Sequence, residues 1–140
     1  MTEAVIDASV VLAWFLPDTP KRQAFASGIL DRLMSGELEV WAPPIFVFEV
    51  ARGLVMGERR GNLKATDLEQ ARRLLQLAVV NIHHDFQSID DLIDTARHLQ
   101  CQVYDAAYVI LADDVGMPLL TLDGGMAQAC LMRGVECDKP

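Results

Sequence analysis

Residues 4–15 read AVIDASVVLAWF, and the position of Asp7 within them decides how the chain is read. Glu3 to Asp7 has the apolar make-up of a buried strand, and it ends on a carboxylate. Ser9 to Leu16 then reads as a short helix stopped by Pro17. A buried strand, an acid at its carboxyl end and a helix straight after form the opening unit of an α/β fold. In such folds the strand ends face one crevice.

The rest of the chain repeats that rhythm. Thr19 to Met34 is a helix with Pro20 in its first turn and Gly36 beyond its end. Leu38 to Ala42 is a second strand. Pro43 and Pro44 open a helix to about Arg60, closed by Gly61. Thr66 with Glu69 is a capping-box start for a helix through Leu77. Ala78 to His83 is a third strand, and Ser88 with Asp91 caps a helix through Leu99. Asp105 begins a helix ending at Gly116, and Pro118 to Leu122 is a fourth strand. A last helix covers Gly125 to Met132, and Val135 to Cys137 adds an edge strand. The pattern predicts a three-layer α/β/α sandwich with a central, mainly parallel sheet of four to five strands, as one domain over residues 1–140.

Composition bounds the class. The 140 residues, 51% hydrophobic and 23% charged, suit one globular domain and exclude a disordered tail. The apolar stretch from Ala4 to Leu16 falls short of the roughly 20 residues a bilayer span needs. No Lys or Arg precedes it, so it does not read as a signal peptide. Cys101, Cys130 and Cys137 lack metal-ligand spacing, and reduced thiols point to the cytoplasm. The net charge of −8 runs against the basic surface expected of a protein that handles nucleic acid.

Most of the 20 acidic residues sit among other charges, but four do not. Asp7 closes the first strand. Glu49 lies in PPIFVFEVARGL, Asp105 opens DAAYVILA, and Asp123 closes PLLTLD. Ionised carboxylates in apolar surroundings are costly unless paired or bound to a cation. Two like charges at about 4 Å oppose each other by about 4 kcal/mol at an effective dielectric of 20. No set of Lys or Arg lies beside all four. An oxygen-only ligand set suits Mg²⁺ or Mn²⁺, which would polarise a phosphodiester and activate a water. Each acid also has a plainer reading. Asp105 caps its helix, Asp123 is a turn residue before Gly124, Glu49 pairs with Arg52, and Asp7 caps the helix after it.

VIDASVVLAWF, PPIFVFEVARGL and YDAAYVILADDVGMPLLTLD together resemble the motifs of PIN-domain nucleases, and among them the VapC-type toxins of toxin–antitoxin pairs. The resemblance covers essentially the whole chain. It implies Asp7, Glu49 and Asp105 as ligands of the main metal and Asp123 as the residue that completes the site, with Ser9 and Thr121 in support. It implies Mg²⁺- or Mn²⁺-dependent endonucleolytic cleavage of RNA (tRNA, rRNA or mRNA), a homodimer, and a cognate VapB-like antitoxin that blocks the site. Gly124 and Gly125 depart from the pattern, because relatives often carry basic residues there.

Among other residues, Arg52 lies one turn from Glu49 and is a possible RNA contact. Arg59, Arg60 and Lys64 read as a solvated helix end. Lys21, Arg22 and Arg32 read as ordinary surface. His83, His84 and His98 read as structural, Trp14 and Phe15 as core or dimer contacts, and Tyr104 and Tyr108 flank Asp105. Apolar residues of the first two helices (Trp14, Phe15, Phe25, Ile29, Leu30, Leu33) suggest surface for dimerisation. The competing function is a catalytically weak or inactive PIN-like binding module, motivated by the acidic charge. A receiver-like phosphoryl-transfer domain is disfavoured, because DASVV lacks a second Asp.

Overall fold

The computed structural model describes residues 2–84 and 87–140. Five parallel strands lie in the order β3-β2-β1-β4-β5, where β1 is Thr2–Ile6, β2 Leu38–Ala42, β3 Val80–Ile82, β4 Leu119–Leu120 and β5 Cys137–Asp138. Helices flank the sheet, giving the α/β sandwich the sequence pattern predicts. They are α1 (Ala8–Leu12), α2 (Pro20–Met34), α3 (Ile45–Arg59), α4 (Ala65–Leu77), α5 (Ile89–Leu99), α6 (Val103–Val115) and α7 (Gly124–Arg133).

The central strand explains the arrangement. Val5 and Ile6 are wholly buried, as a strand covered on both faces must be. Val40, Leu119 and Val109 join them in one core. The strand order reverses direction between β1 and β4, and a crevice opens outside the carboxyl ends of strands at such a point. Asp7 follows β1 there, and Asp123 follows β4.

Several elements differ from the sequence reading, each for a local reason. The first helix stops at Leu12, because Trp14 and Phe15 donate to Val11 and Leu12 in tight turns. The Trp14 indole N–H is meanwhile taken by the Ala26 carbonyl at 2.8 Å. Helix α4 starts at Ala65, and its reach-back acid is Asp67, which accepts from the Lys64 N–H at 2.9 Å. Thr66 is therefore not the cap, and Glu69 pairs with Arg72 instead. Helix α6 starts at Val103, which places Asp105 inside its first turn. Ser88 does cap α5, accepting from Asp91 N–H at 3.0 Å. Gly61 and Gly116 close α3 and α6 with φ of +80° and +68°, the left-handed region glycine enters freely.

Of the six apolar residues expected on the surface of the first helices, Ile29 is buried and the other five are half-buried, with Trp14, Phe15, Phe25 and Leu33 packed against the core. Exposed apolar side chains include Met34 of α2 and, elsewhere, Phe48, Ile89 and Leu131. Cys101, Cys130 and Cys137 are free thiols.

Helix α1 lies against α3 where glycine leaves room. A Cβ on Gly53 would sit 2.5 Å from a Leu12 methyl, and one on Gly57 2.6 Å from a Leu16 methyl. Gly53→Ala should shift stability by under about 1 kcal/mol, since the helix-propensity gain of about 1 kcal/mol offsets moving a flexible Leu12 tip. Gly53→Val should lose about 2 kcal/mol by overpacking. Urea denaturation measures both, and equal stability of the two variants would refute the close approach.

Candidate active site

Asp7 is 5% exposed at the end of the central strand. Its N–H donates to the Leu120 carbonyl at 3.0 Å, which fixes the backbone against β4. Its Oδ2 accepts from the Ser9 hydroxyl at 2.7 Å and from the Thr121 hydroxyl at 2.8 Å. The same hydroxyls accept in turn, Ser9 from Leu122 N–H at 3.0 Å and Thr121 from Asp123 N–H at 2.9 Å. Leu122 and Asp123 thus give their amides to side chains, which is why β4 ends two residues after it starts. Burial pushes the Asp7 carboxyl up, the two hydroxyls pull it down, and the Asp123 charge raises it further. Asp7 makes no side-chain cap bond to α1.

Three more acids face the same cleft, which encloses about 800 Å³ and is lined by Asp7, Glu49, Asp105 and Asp123 together. Helix α3 carries Glu49 over the crevice, where its Oε1 accepts from the Tyr108 hydroxyl at 2.7 Å. Arg52 is not its hydrogen-bond partner, so the simple helix-surface pairing gives way to a contact between α3 and α6. Tyr108 is wholly buried. Burial raises the Glu49 carboxyl, the Tyr108 bond lowers it, and Asp7 raises it again. Asp105 is half-buried in the first turn of α6 and rises to about 6, through burial first and then repulsion from Asp123, Asp7 and Glu49. Asp123 is exposed and caps α7, accepting from Gly125 N–H at 3.0 Å. The plainer reading makes it a turn residue before Gly124; it is the N-cap of α7, and it faces the cleft as well.

Two cations line the cleft, Arg22 and Arg52. The sequence reading found Arg52 and missed Arg22. Arg22 Nε donates to Asp18 at 2.7 Å, and its Nη1 to the Leu122 carbonyl at 2.7 Å, beside Asp123. Its visible signal was Asp18 four residues before it, in the turn that leads into α2. Tyr104 also lines the cleft, whereas His83, His84, His98, Arg59, Arg60 and Lys64 do not.

Among the described residues, no group of three or more His, Cys, Asp or Glu side chains is placed so that it could hold a metal ion as it stands. The donor set still suits a hard cation. All four acids offer oxygen, and they raise one another's affinity for positive charge. Mg²⁺ keeps several waters and takes only one or two carboxylates directly, so it needs an open acidic cleft rather than a cage.

Comparison with known proteins agrees with the fold. Residues 4–131 match the PIN domain family. Ribonuclease VapC3 of Pyrobaculum aerophilum is 31% identical over 129 residues, which are 89% of this chain and 92% of that protein. The crystal structure of PAE2754 from Pyrobaculum aerophilum shares the fold, with a TM-score of 0.67 at 20% sequence identity, covering 97% of this chain and 90% of that one.

Gathering the acids makes the metal-free site oppose folding. Asp105 holds its proton up to about pH 6 in the folded chain, against 3.8 unperturbed. Between those values the folded chain binds more protons than the unfolded one, so stability falls as pH rises. Asp7 and Glu49 shift in the same direction. Urea denaturation in EDTA should show lower stability at pH 7 than at pH 5. Asp105→Asn should flatten that slope and raise stability at pH 7. A stability that climbs over this range in EDTA would mean that the acids do not repel.

Proposed function

The chain belongs to the PIN-domain family, and on that premise we propose that it is a divalent-metal-dependent endoribonuclease, the toxin of a type II toxin–antitoxin pair. One observation carries the reading: Asp7, Glu49, Asp105 and Asp123 line one cleft at the point where the strand order reverses. Asp7, Glu49 and Asp105 would hold the main Mg²⁺ or Mn²⁺, and Asp123 would complete the site. When bound, the ion polarises the phosphodiester and lowers the pKa of the attacking water.

The chain's own residues prepare the site. Ser9 and Thr121 lock the plane of the Asp7 carboxylate through Oδ2, and Tyr108 fixes Glu49 from the buried side. Arg22 is anchored by two hydrogen bonds and has donors left over, since a guanidinium carries five N–H groups. A scissile phosphate drawn to the acids through the cation would therefore meet Arg22 on the Asp123 side and Arg52 on the Glu49 side. The substrate is RNA, whether tRNA, rRNA or mRNA. A VapB-like antitoxin is the expected partner, the whole chain acts as one domain, and three free thiols suit work in the cytoplasm. The homodimer is proposed on the exposed Val47, Phe48 and Val55 of α3 rather than on the first two helices.

The second reading is a PIN-like binding module with little or no catalysis. The open arrangement of the acids and the net charge of −8 favour it. Calorimetry separates the two, since a nuclease site binds Mn²⁺ and a scaffold need not.

RNA cleavage should require Mg²⁺ or Mn²⁺, stop in EDTA, and fall by at least about 100-fold in Asp7→Asn together with the loss of the Mn²⁺ binding isotherm. Cleavage that survives in Asp7→Asn would trace to a contaminant and sink the proposal. Arg22→Ala should raise KM and lower the slope of log affinity against log salt by about 0.7, the value for one lost phosphate contact on a single strand. An unchanged slope would remove Arg22 from the RNA path.

A further inference from the structure

The cleft holds one group that the metal chemistry does not use. Tyr104 stands beside Asp105 in the first turn of α6 and lines the same cleft, yet its side chain is 55% exposed. It takes no part in the hydrophobic core. Phe48, another exposed aromatic at 72%, lies outside the cleft lining, so exposure alone does not bring a ring to the acids. The backbone beneath Tyr104 is well held, because Ala106 N–H donates to the Gln102 carbonyl at 3.0 Å and closes the first helical turn. A ring on a fixed turn is a platform whose position the fold sets.

Charge explains why such a platform matters here. Among the described residues, four carboxylates and two guanidinium groups line the cleft, so phosphate contacts from the chain's own cations are a small part of what this protein can offer RNA. Stacking of a base on an aromatic ring does not depend on net charge, and every base has a face to offer. A base inside a duplex has both faces covered by its neighbours, and only an unpaired nucleotide can turn one toward a side chain.

We propose that Tyr104 is a base-stacking platform next to the acidic cluster. The inference rests on the ribonuclease reading and adds a substrate-binding residue to it. Tyr104 touches the base of a nucleotide adjoining the cut and does not hold the cation.

The experiment uses the full chain with Mn²⁺ and a short single-stranded oligoribonucleotide of mixed sequence, alone and annealed to its complement. Wild type is expected to cut the free strand and leave the duplex nearly intact. Tyr104→Ala should lower kcat/KM between about 5-fold and 100-fold, the range that base–aromatic stacking supplies. Tyr104→Phe should restore most of that loss, and the Mn²⁺ isotherm should be the same in all three proteins. Once the cut is mapped, an abasic nucleotide placed next to it should bring wild type down to the level of Tyr104→Ala. It should leave the variant itself unaffected.

Cleavage by Tyr104→Ala at the wild-type rate overturns the proposal. So does a loss that Phe does not rescue, or one that persists unchanged on the abasic strand. A change confined to sedimentation behaviour would assign the ring to a protein interface and overturn it as well. Failure of the ribonuclease reading has a different signature: wild type with Mn²⁺ cuts neither form of the RNA.

Discussion

A buried carboxylate at the end of the central strand is the constraint around which the rest is arranged. Asp7 stays charged inside the protein only if donors reach it, and the donors are two hydroxyls on different segments. Ser9 comes from the start of α1 and Thr121 from the end of β4. Each hydroxyl also accepts a backbone amide, from Leu122 or Asp123. The carboxylate therefore stitches the carboxyl ends of β1 and β4 together on either side of the point where the sheet reverses order. Removing either hydroxyl would strip the charge of a donor and leave a backbone N–H without its acceptor, two penalties from one small change.

From that stitch the electrostatics follow. The Thr121 hydroxyl that donates to Asp7 also accepts the Asp123 N–H, so the group that steadies Asp7 brings a second negative charge near it. Helices α3 and α6 add Glu49 and Asp105, and Tyr108 bridges between them. Desolvation is the largest influence on Asp7, Glu49 and Asp105, and repulsion adds to it. The fold tolerates this because the surrounding core is rigid: Val5, Ile6, Val109 and Tyr108 are wholly buried. Sites that hold charge against its own repulsion sacrifice stability for chemistry.

How much of this could be read beforehand depends on the range of the signal. Asp7 and Asp123 were legible because a carboxylate at the end of an apolar run is a local anomaly, and strand ends in an α/β sheet share one edge. Asp105 and Glu49 were legible as anomalies too, but their arrival at the same cleft depends on how α3 and α6 pack, which no short window records. The Tyr108 contact with Glu49 spans 59 residues and the Arg22 contact with Leu122 spans 100, so neither leaves a trace in local pattern. The capping of α4 failed for another reason. Thr66 and Glu69 have the right chemistry, but Asp67 is nearer the turn and takes the Lys64 amide first. The apolar excess of the first two helices was real, and the core takes up part of it, with Trp14, Phe15, Phe25 and Leu33 packed against it while still half-buried.

The acidic net charge, awkward for a protein that handles RNA, reads differently once the site is in view. Part of the excess lies within the cleft, where the proposed divalent cation would offset it locally and turn repulsion into attraction for phosphate. Arg22 and Arg52 both line the cleft, Arg22 held beside Asp123 through the Leu122 carbonyl and Arg52 carried on the helix of Glu49. On the proposed function, long-range steering by a basic face would be replaced by short-range capture: a bound cation would draw the phosphate, the two guanidinium groups would meet it, and the exposed ring beside Asp105 would take the base. Such a site would gain little from duplex backbone, whose charge two guanidinium groups cannot track over many residues. If the proposed roles hold, the fit of a base against the ring, more than charge, would govern which RNA the cleft accepts.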